Sequence, residues 1–289
     1  MNKILFFDKR YDFDSASWLK EAKELKADLK SAHYDDLLFH FSTGESAIFV
    51  RNQPLATFST IFFYTRIGYE EEVVMTSIFS KLNKIDVVDQ VLPSRFSYFD
   101  SKSYEYMILS NNSVPIIESW GFRASGYNKH DLSTLSFPMV VKESDAERGE
   151  GVFLVKSSEE LGEIIIKCKN KFLLLQPYVE NDGDIRVLVI GGKAVATVKR
   201  RRKDDSDFRN NVSQGASISS FNLDEKGIEV ALAAADALQY DFAGVDLIYD
   251  SNAGQYLVME VNRSPQFIGT EKATGVNVRR EFLRYLNLL

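Results

Sequence analysis

Glu260 and Asn262 lie two apart on one apolar stretch, so on a strand their side chains point to the same face of a sheet. A second apolar run, Ala243 to Tyr249, precedes the turn-forming Ser251-Asn252-Ala253-Gly254. Antiparallel pairing across that turn brings Asp246 opposite or nearly opposite Glu260. Asp246, Glu260 and Asn262 then offer oxygen donors only, which suits a hard cation such as Mg2+, with water and phosphate completing its shell. Such a site implies a nucleotide. A pair of half-exposed strands with polar residues facing solvent is the alternative. Val245, Leu247, Val258 and Val261 argue against it, because they predict buried strands, and buried carboxylates need a cation or a partner.

Upstream, Lys142 closes the apolar run that starts at Phe137 and could deliver its ammonium to an α- or β-phosphate, or could simply be a solvated strand end. Gly149 and Gly151 flank Glu150 in a short loop whose amides could fold over phosphates, although an ordinary hairpin turn reads the same way. Gln176, Pro177 and Tyr178 end another strand, where a proline could leave main-chain groups to meet an adenine edge, and Asp184 could accept from ribose hydroxyls. In the basic run Lys199 to Lys203 only alternate residues share a face. Either Arg200 and Arg202 or Arg201 would therefore face a cleft, where a guanidinium could stabilise phosphoryl transfer. A solvated hairpin end or a loose polyanion patch is the other reading of the run. Gly-x4-Gly-Lys-Ser/Thr and Gly-x-Gly-x-x-Gly are both missing from the sequence, which disfavours P-loop and dinucleotide-binding folds.

The elements that must position these residues follow from periodicity. The first third combines a strand at Ile4 to Phe7, a helix from Ser17 to Leu29, apolar Leu37 to Phe41 and Thr60 to Tyr64, which suits a small α/β domain. The pattern breaks near Leu92-Pro93, and Lys102 to Leu109 reads as a helix. Strands are predicted at Phe137 to Lys142, Gly151 to Val155, Phe172 to Gln176, Asp184 to Ile190 and Ala194 to Lys199, with a helix at Ser158 to Lys167. Gly191-Gly192 is a hairpin turn. Ile228, Ala231, Leu232, Ala235 and Leu238 form one stripe of a helix that Asp224 can cap, and a final helix runs from about Val276 to Leu288.

Read in order, these segments resemble the ATP-grasp superfamily, specifically its RimK-like amino-acid (glutamate) ligase branch, from about Ser97 to the C-terminus. The residues that carry the resemblance are Phe137 to Lys142, Gly149 to Val152, Gln176 to Val179, Asp184 to Arg186, Asp207 to Asn211, Ala243 to Asp246, Met259 to Asn262 with Ser264-Pro265, and Thr274 to Val276. The resemblance implies an α/β (α+β) ATP-grasp fold: a small N-terminal α/β domain (1–96) followed by two α+β subdomains (97–183 and 184–289) that clasp ATP. It implies a nucleotide set of Lys102, Lys142, Gly149, Gly151, Gln176, Pro177, Tyr178, Asp184 and Arg186. Asp246, Glu260 and Asn262 would hold Mg2+, or Mn2+ in its place, and Arg200, Arg209 and Asn211 would line the phosphoryl-transfer site. Where the family often has a glutamate at the adenine hinge this chain has Pro177, which leaves that contact to main chain.

The implied chemistry is ATP-dependent ligation of a carboxylate to an amine through an acyl phosphate. The partners would be an amino acid such as glutamate and a carboxylate-bearing peptide, protein terminus or small metabolite, and enzymes of this kind are often homo-oligomers. A non-catalytic nucleotide- or peptide-binding protein on the same fold, or a polyanion binder using Lys199 to Lys203, are the rivals. Composition narrows the field: 289 residues, 45% hydrophobic and 26% charged, fit a soluble globular protein, and a net charge of −6 argues against a nucleic-acid surface. The single cysteine, Cys168, excludes a disulfide framework and is expected as a buried structural thiol in a reducing cytoplasm. No apolar run is long enough to span a membrane.

Overall fold

The computed structural model describes every residue except 1, 9–14, 43–44, 65, 67–68, 90–91, 93–100, 130–134, 145, 147–150, 203–216, 264 and 289. The N-terminal region runs β1 (Lys3–Phe7), α1 (Ser15–Glu24), β2 (Asp28–Ala32), β3 (Leu37–Ser42), β4 (Glu45–Val50), β5 (Gln53–Pro54), β6 (Thr60–Phe63), α2 (Glu70–Leu82) and β7 (Asp86–Val87). Strands β1, β2, β6 and β7 form a parallel sheet in the order β2-β1-β6-β7, and β3, β4 and β5 form a small antiparallel one. Both faces of the parallel sheet are covered, so β1 and β6 are continuous apolar runs with Ile4 to Phe7 and Ile61 to Phe63 buried.

Next come α3 (Lys102–Asn111), β8 (Trp120–Arg123), β9 (Met139–Glu143), β10 (Val152–Val155), α4 (Ser158–Lys167) and β11 (Phe172–Pro177). The four strands make an antiparallel sheet in the order β10-β9-β11-β8, and α4, capped by Ser157, packs Leu161 and Ile165 against it. Beyond it lie β12 (Asp184–Ile190), β13 (Lys193–Arg201), β14 (Ser217–Ser220), α5 (Glu225–Ala237), β15 (Phe242–Asp250), β16 (Gln255–Arg263), α6 (Ile268–Thr274) and α7 (Val278–Leu288). Their sheet has the order β14-β13-β12-β15-β16. One core joins its inner face to α5, whose N-terminus Asp224 caps by accepting from the Gly227 N–H at 3.0 Å. A second joins Leu188, Ile190 and Phe242 of this sheet to Phe282 and Leu286 of α7 and to Ile4, Trp18 and Phe62 of the N-terminal region.

Two expected helices differ. The one predicted to reach Leu29 ends at Glu24, because Lys26 adopts a φ of +56° and Leu29 joins β2, where it pairs with Ile4 and is buried. Pairing with a central strand outweighs helix propensity there. The C-terminal helix starts at Val278 and is preceded by a separate one, α6, which ends where Gly275 takes the left-handed conformation (φ +74°) and donates its N–H to the Glu271 carbonyl. The Gly191-Gly192 turn, with φ of +54° and +71°, joins β12 and β13 as expected. Among the described residues no helix is long and apolar enough to cross a membrane.

Candidate functional site

Register builds the site. Arg200 of β13 stands opposite Asp184 of β12, Arg186 of β12 opposite Asp246 of β15, and Asp246 opposite Glu260 of β16. A row of charged side chains therefore crosses four strands, since cross-strand partners on one face are near neighbours. The Arg186 guanidinium donates to both Asp246 oxygens at 2.7 Å, and Arg200 donates to both Asp184 oxygens at 2.7 and 2.6 Å. The Arg200 Nη2 that meets Asp184 also lies 2.9 Å from Asp246, and the Asn262 amide donates to Asp246 at 3.4 Å.

Asp184, Arg200 and Asp246 are each about 95% buried. Burial pushes the Asp184 carboxyl up to about 6 against the pull of Arg200. It works the same way on Asp246, but the charges of Arg186 and Arg200 outweigh it and hold that carboxyl below the usual range. For Arg200, burial is outweighed by Asp246 and Asp184, which keep the guanidinium charged.

Lys142 comes from the other sheet. It is buried rather than a solvated strand end, and burial, with the like charge of Lys102, pushes its ammonium down to about 8 against the attraction of Glu260, Asp246 and Glu105. Helix α3 brings Lys102, whose ammonium donates to the Ala146 carbonyl and sits 3.6 Å from Glu260. Its N-terminus is fixed by the Ser101 cap and by Ser144, which accepts from the Lys102 and Ser103 N–H groups at 3.0 and 3.1 Å. Gly151 opens β10 with a φ of +64°, and a Cβ there would lie 2.8 Å from that of Ala146.

The structure thus gathers Lys102, Lys142, Asp184, Arg186, Arg200, Asp246, Glu260 and Asn262 around one end of two sheets. Arg200 faces inward while Arg201 points out to Asp182 at 3.4 Å, resolving the phase of the basic run. Asp184, expected at ribose, is turned to Arg200. The Gln176 side chain is buried and donates to Ser119 at 2.8 Å, and the Tyr178 N–H donates to the Pro138 carbonyl at 3.0 Å, so that main-chain donor is engaged at the end of β11. Gly149, Arg209 and Asn211 lie outside the described residues. Cys168 is buried, donates to Glu143 at 3.4 Å and is pushed up to about 11 by burial, which suits a structural thiol and not a nucleophile.

Among the described residues no three His, Cys, Asp or Glu side chains cluster as a metal site. The donor set on the row is instead two carboxylates and one amide, Asp246, Glu260 and Asn262, which fits Mg2+, a cation commonly held by one or two carboxylates with water and phosphate supplying the rest. Glu260 and Asn262 are the members not held by a guanidinium among the described contacts. Two residues that sequence reasoning passed over, Glu105 and Tyr106, join the site from α3. Their spacing from Lys102, three and four residues, is the signal that would have placed them on its face.

A family model described as the RimK-like ATP-grasp domain matches residues 126–286. The chain is 37% identical over 153 residues to a ribosomal protein bS6–L-glutamate ligase of Escherichia coli O139:H28, a match covering 52% of this chain and 50% of that protein. It spans about half the length of the curated relatives it matches. Among solved structures, the ATP-grasp ligase PsnB complexed with a minimal precursor superposes with a TM-score of 0.76 at 14% identity, over 99% of this chain and 98% of that one. A Chryseobacterium gregarium RiPP-associated ATP-grasp ligase, in complex with ADP and a leader and core peptide, gives 0.74 at 17% identity, over 99% and 97%. At these identities the likeness shows a shared fold. With its family model covering more than half of the chain, this protein belongs to the RimK-like ATP-grasp family.

Proposed function

We propose that this protein is an ATP-dependent carboxylate–amine ligase that activates a carboxylate as an acyl phosphate and then forms an amide. The observation that carries the reading is the cross-strand row Arg200–Asp184 and Arg186–Asp246–Glu260, buried at Arg200, Asp184 and Asp246 and faced by Lys142 and Lys102. Cations and carboxylates so placed could bind a triphosphate and neutralise the charge of phosphoryl transfer.

Asp246, Glu260 and Asn262 would hold Mg2+, or Mn2+ in its place, which would supply Lewis-acid charge neutralisation at the phosphates when bound. Lys142 and Lys102, both within the field of Glu260, would contact nucleotide phosphate as point charges. The planar guanidiniums of Arg200 and Arg186 would stabilise the charge that spreads over the γ-phosphoryl oxygens, with Arg209 and Asn211 as further candidates. In the first step a carboxylate oxygen of the substrate attacks the γ-phosphorus and ADP leaves. In the second the amine attacks the activated carbonyl, phosphate leaves with its electron pair, and the amine loses a proton. Water must be kept from the acyl phosphate, a role suited to the loop of Gly149 and Gly151. Adenine would sit at the end of β11 by Pro177 and Tyr178, with Gln176 bracing the strand, while Asp184 orients Arg200.

The substrate pair we propose is an amino acid, glutamate among the candidates, and a peptide or protein bearing a carboxylate. The E. coli relative is named for glutamate ligation to a ribosomal protein, and two of the structural neighbours are complexes, one with a minimal precursor and one with a leader and core peptide. The test is ADP release with MgATP against a panel of amino acids and peptides, with wild type run beside Glu260→Ala. Ligation predicts turnover for a particular pair that the variant lacks by at least a hundredfold, about 2.7 kcal/mol of transition-state stabilisation. Near-normal turnover in Glu260→Ala would sink the assignment.

A further inference from the structure

Strand β16 changes phase just before the proposed metal ligands. Asp246 pairs with Glu260, but the next residue of β15, Leu247, pairs with Val258, so Met259 is an extra residue on β16 and forms a β-bulge. Its effect on side-chain direction can be read from the cores. Tyr256 and Val258 pack into the core beneath α5, whereas Leu257 and Met259 pack with Ile117 and Ile248 on the opposite face. With strict alternation Glu260, two residues after Val258, would enter the α5 core. After the bulge it is Val261 that enters that core, and Glu260 and Asn262 share the face of Asp246.

Helix α3 holds the bulge. The Tyr106 hydroxyl, on a side chain 5% exposed, donates to the carbonyls of Val258 and Met259, at 3.3 and 3.1 Å. The same hydroxyl hydrogen-bonds with Gln176 at the end of β11, and Gln176 is braced by Ser119. One residue earlier, the buried Glu105 accepts from the Val261 N–H at 3.4 Å, and Val258 is tied from its other side by donating to the Pro115 carbonyl at 2.9 Å. The side-chain hydrogen bonds that the described residues make to the bulge carbonyls both come from Tyr106 of α3. A bulge leaves its extra residue unpaired in the ladder, so something outside the sheet must fix it.

We infer that Tyr106, supported by Glu105, is a positioning residue: by anchoring the Met259 bulge it sets the face on which Glu260 and Asn262 meet a divalent cation. The inference rests on the proposed metal role of those two residues. Tyr106 and Glu105 contact the main chain of β16. They act through the backbone of β16, and the Tyr106–Gln176 contact links that backbone to the strand that ends at the proposed adenine position.

The experiment is calorimetric ADP binding to full-length protein across a Mg2+ titration, for wild type and Tyr106→Phe, with thermal melting to verify the fold. Positioning predicts that ADP affinity without Mg2+ is unchanged, while the Mg2+ concentration giving half of the metal-dependent gain rises about tenfold, as for other groups that orient metal ligands. A Mg2+ dependence identical to wild type in a folded Tyr106→Phe protein overturns the inference and leaves the function standing. No Mg2+-dependent gain in the wild type itself overturns both. Should Tyr106→Phe fail to fold, Glu105 gives the same reading. Glu105→Gln keeps an acceptor oxygen for the Val261 N–H and should retain the wild-type Mg2+ dependence, whereas Glu105→Leu should show the shift. Equal behaviour of those two variants contradicts the inference.

Discussion

Replacing Asp246 by Asn tests whether the charge row is one coupled unit. Asp246 receives two hydrogen bonds from Arg186 and one from Arg200, and is 4% exposed. Asparagine keeps the volume but not the charge, leaving Arg186 without its bidentate partner in a site where its side chain is 14% exposed. Removing one partner of a buried ion pair costs about 3–5 kcal/mol. Arg200 retains Asp184, so the lower end, about 3 kcal/mol, applies. Arg186→Met leaves Asp246 with Arg200 and should cost less, about 2 kcal/mol. In the double variant neither charge is stranded, so its loss should fall short of the sum by about 2 kcal/mol. Urea unfolding of the four proteins, with Mg2+ and nucleotide absent, reads the cycle. Additivity within about 0.5 kcal/mol would show that the two residues do not act together and would refute the reasoning.

Lys142, held down to about 8 by burial, is charged below that pH and neutral above it. ADP affinity should therefore be level up to about pH 8 and weaken above it, and Lys142→Arg, charged throughout, should remove the break. Calorimetry from pH 7 to 9.5 checks both, and a break that survives in Lys142→Arg would assign it elsewhere. Gly183 has a φ of +135°, and a Cβ there would come within 2.4 Å of the Arg200 carbonyl. Gly183→Ala should cost on the order of 1–3 kcal/mol and weaken ADP binding by disturbing the Asp184–Arg200 pair, seen as a lower melting temperature and a raised Kd.

Much of this site could be read along the chain because it rests on period-two alternation. Asp184 to Ile190 and Ser158 to Lys167 have the bounds that periodicity and capping predict, and the four-residue turn at 251–254 brings Asp246 to within one residue of Glu260, the extra residue Met259 completing the pairing. The bulge at Met259 was not legible, since no residue type marks it and its cause, Tyr106, lies far away in sequence. The same is true of the partners of Asp246: alternation puts Arg186 and Arg200 on inward faces, but only the register of three strands shows that they share one carboxylate. Leu29 belongs to β2 and not to the expected helix: a helical stripe and a buried strand look alike over a few residues, and pairing with β1 decides between them.

The central claim is tested most directly with a substrate carboxylate labelled with 18O on both oxygens, incubated with MgATP and the amine that supports ADP release. An acyl phosphate predicts that the released phosphate carries one 18O and the amide product retains the other. Unlabelled phosphate, with both labelled oxygens still on the carboxylate, or ADP release that needs neither carboxylate nor amine, would contradict ligation by this route.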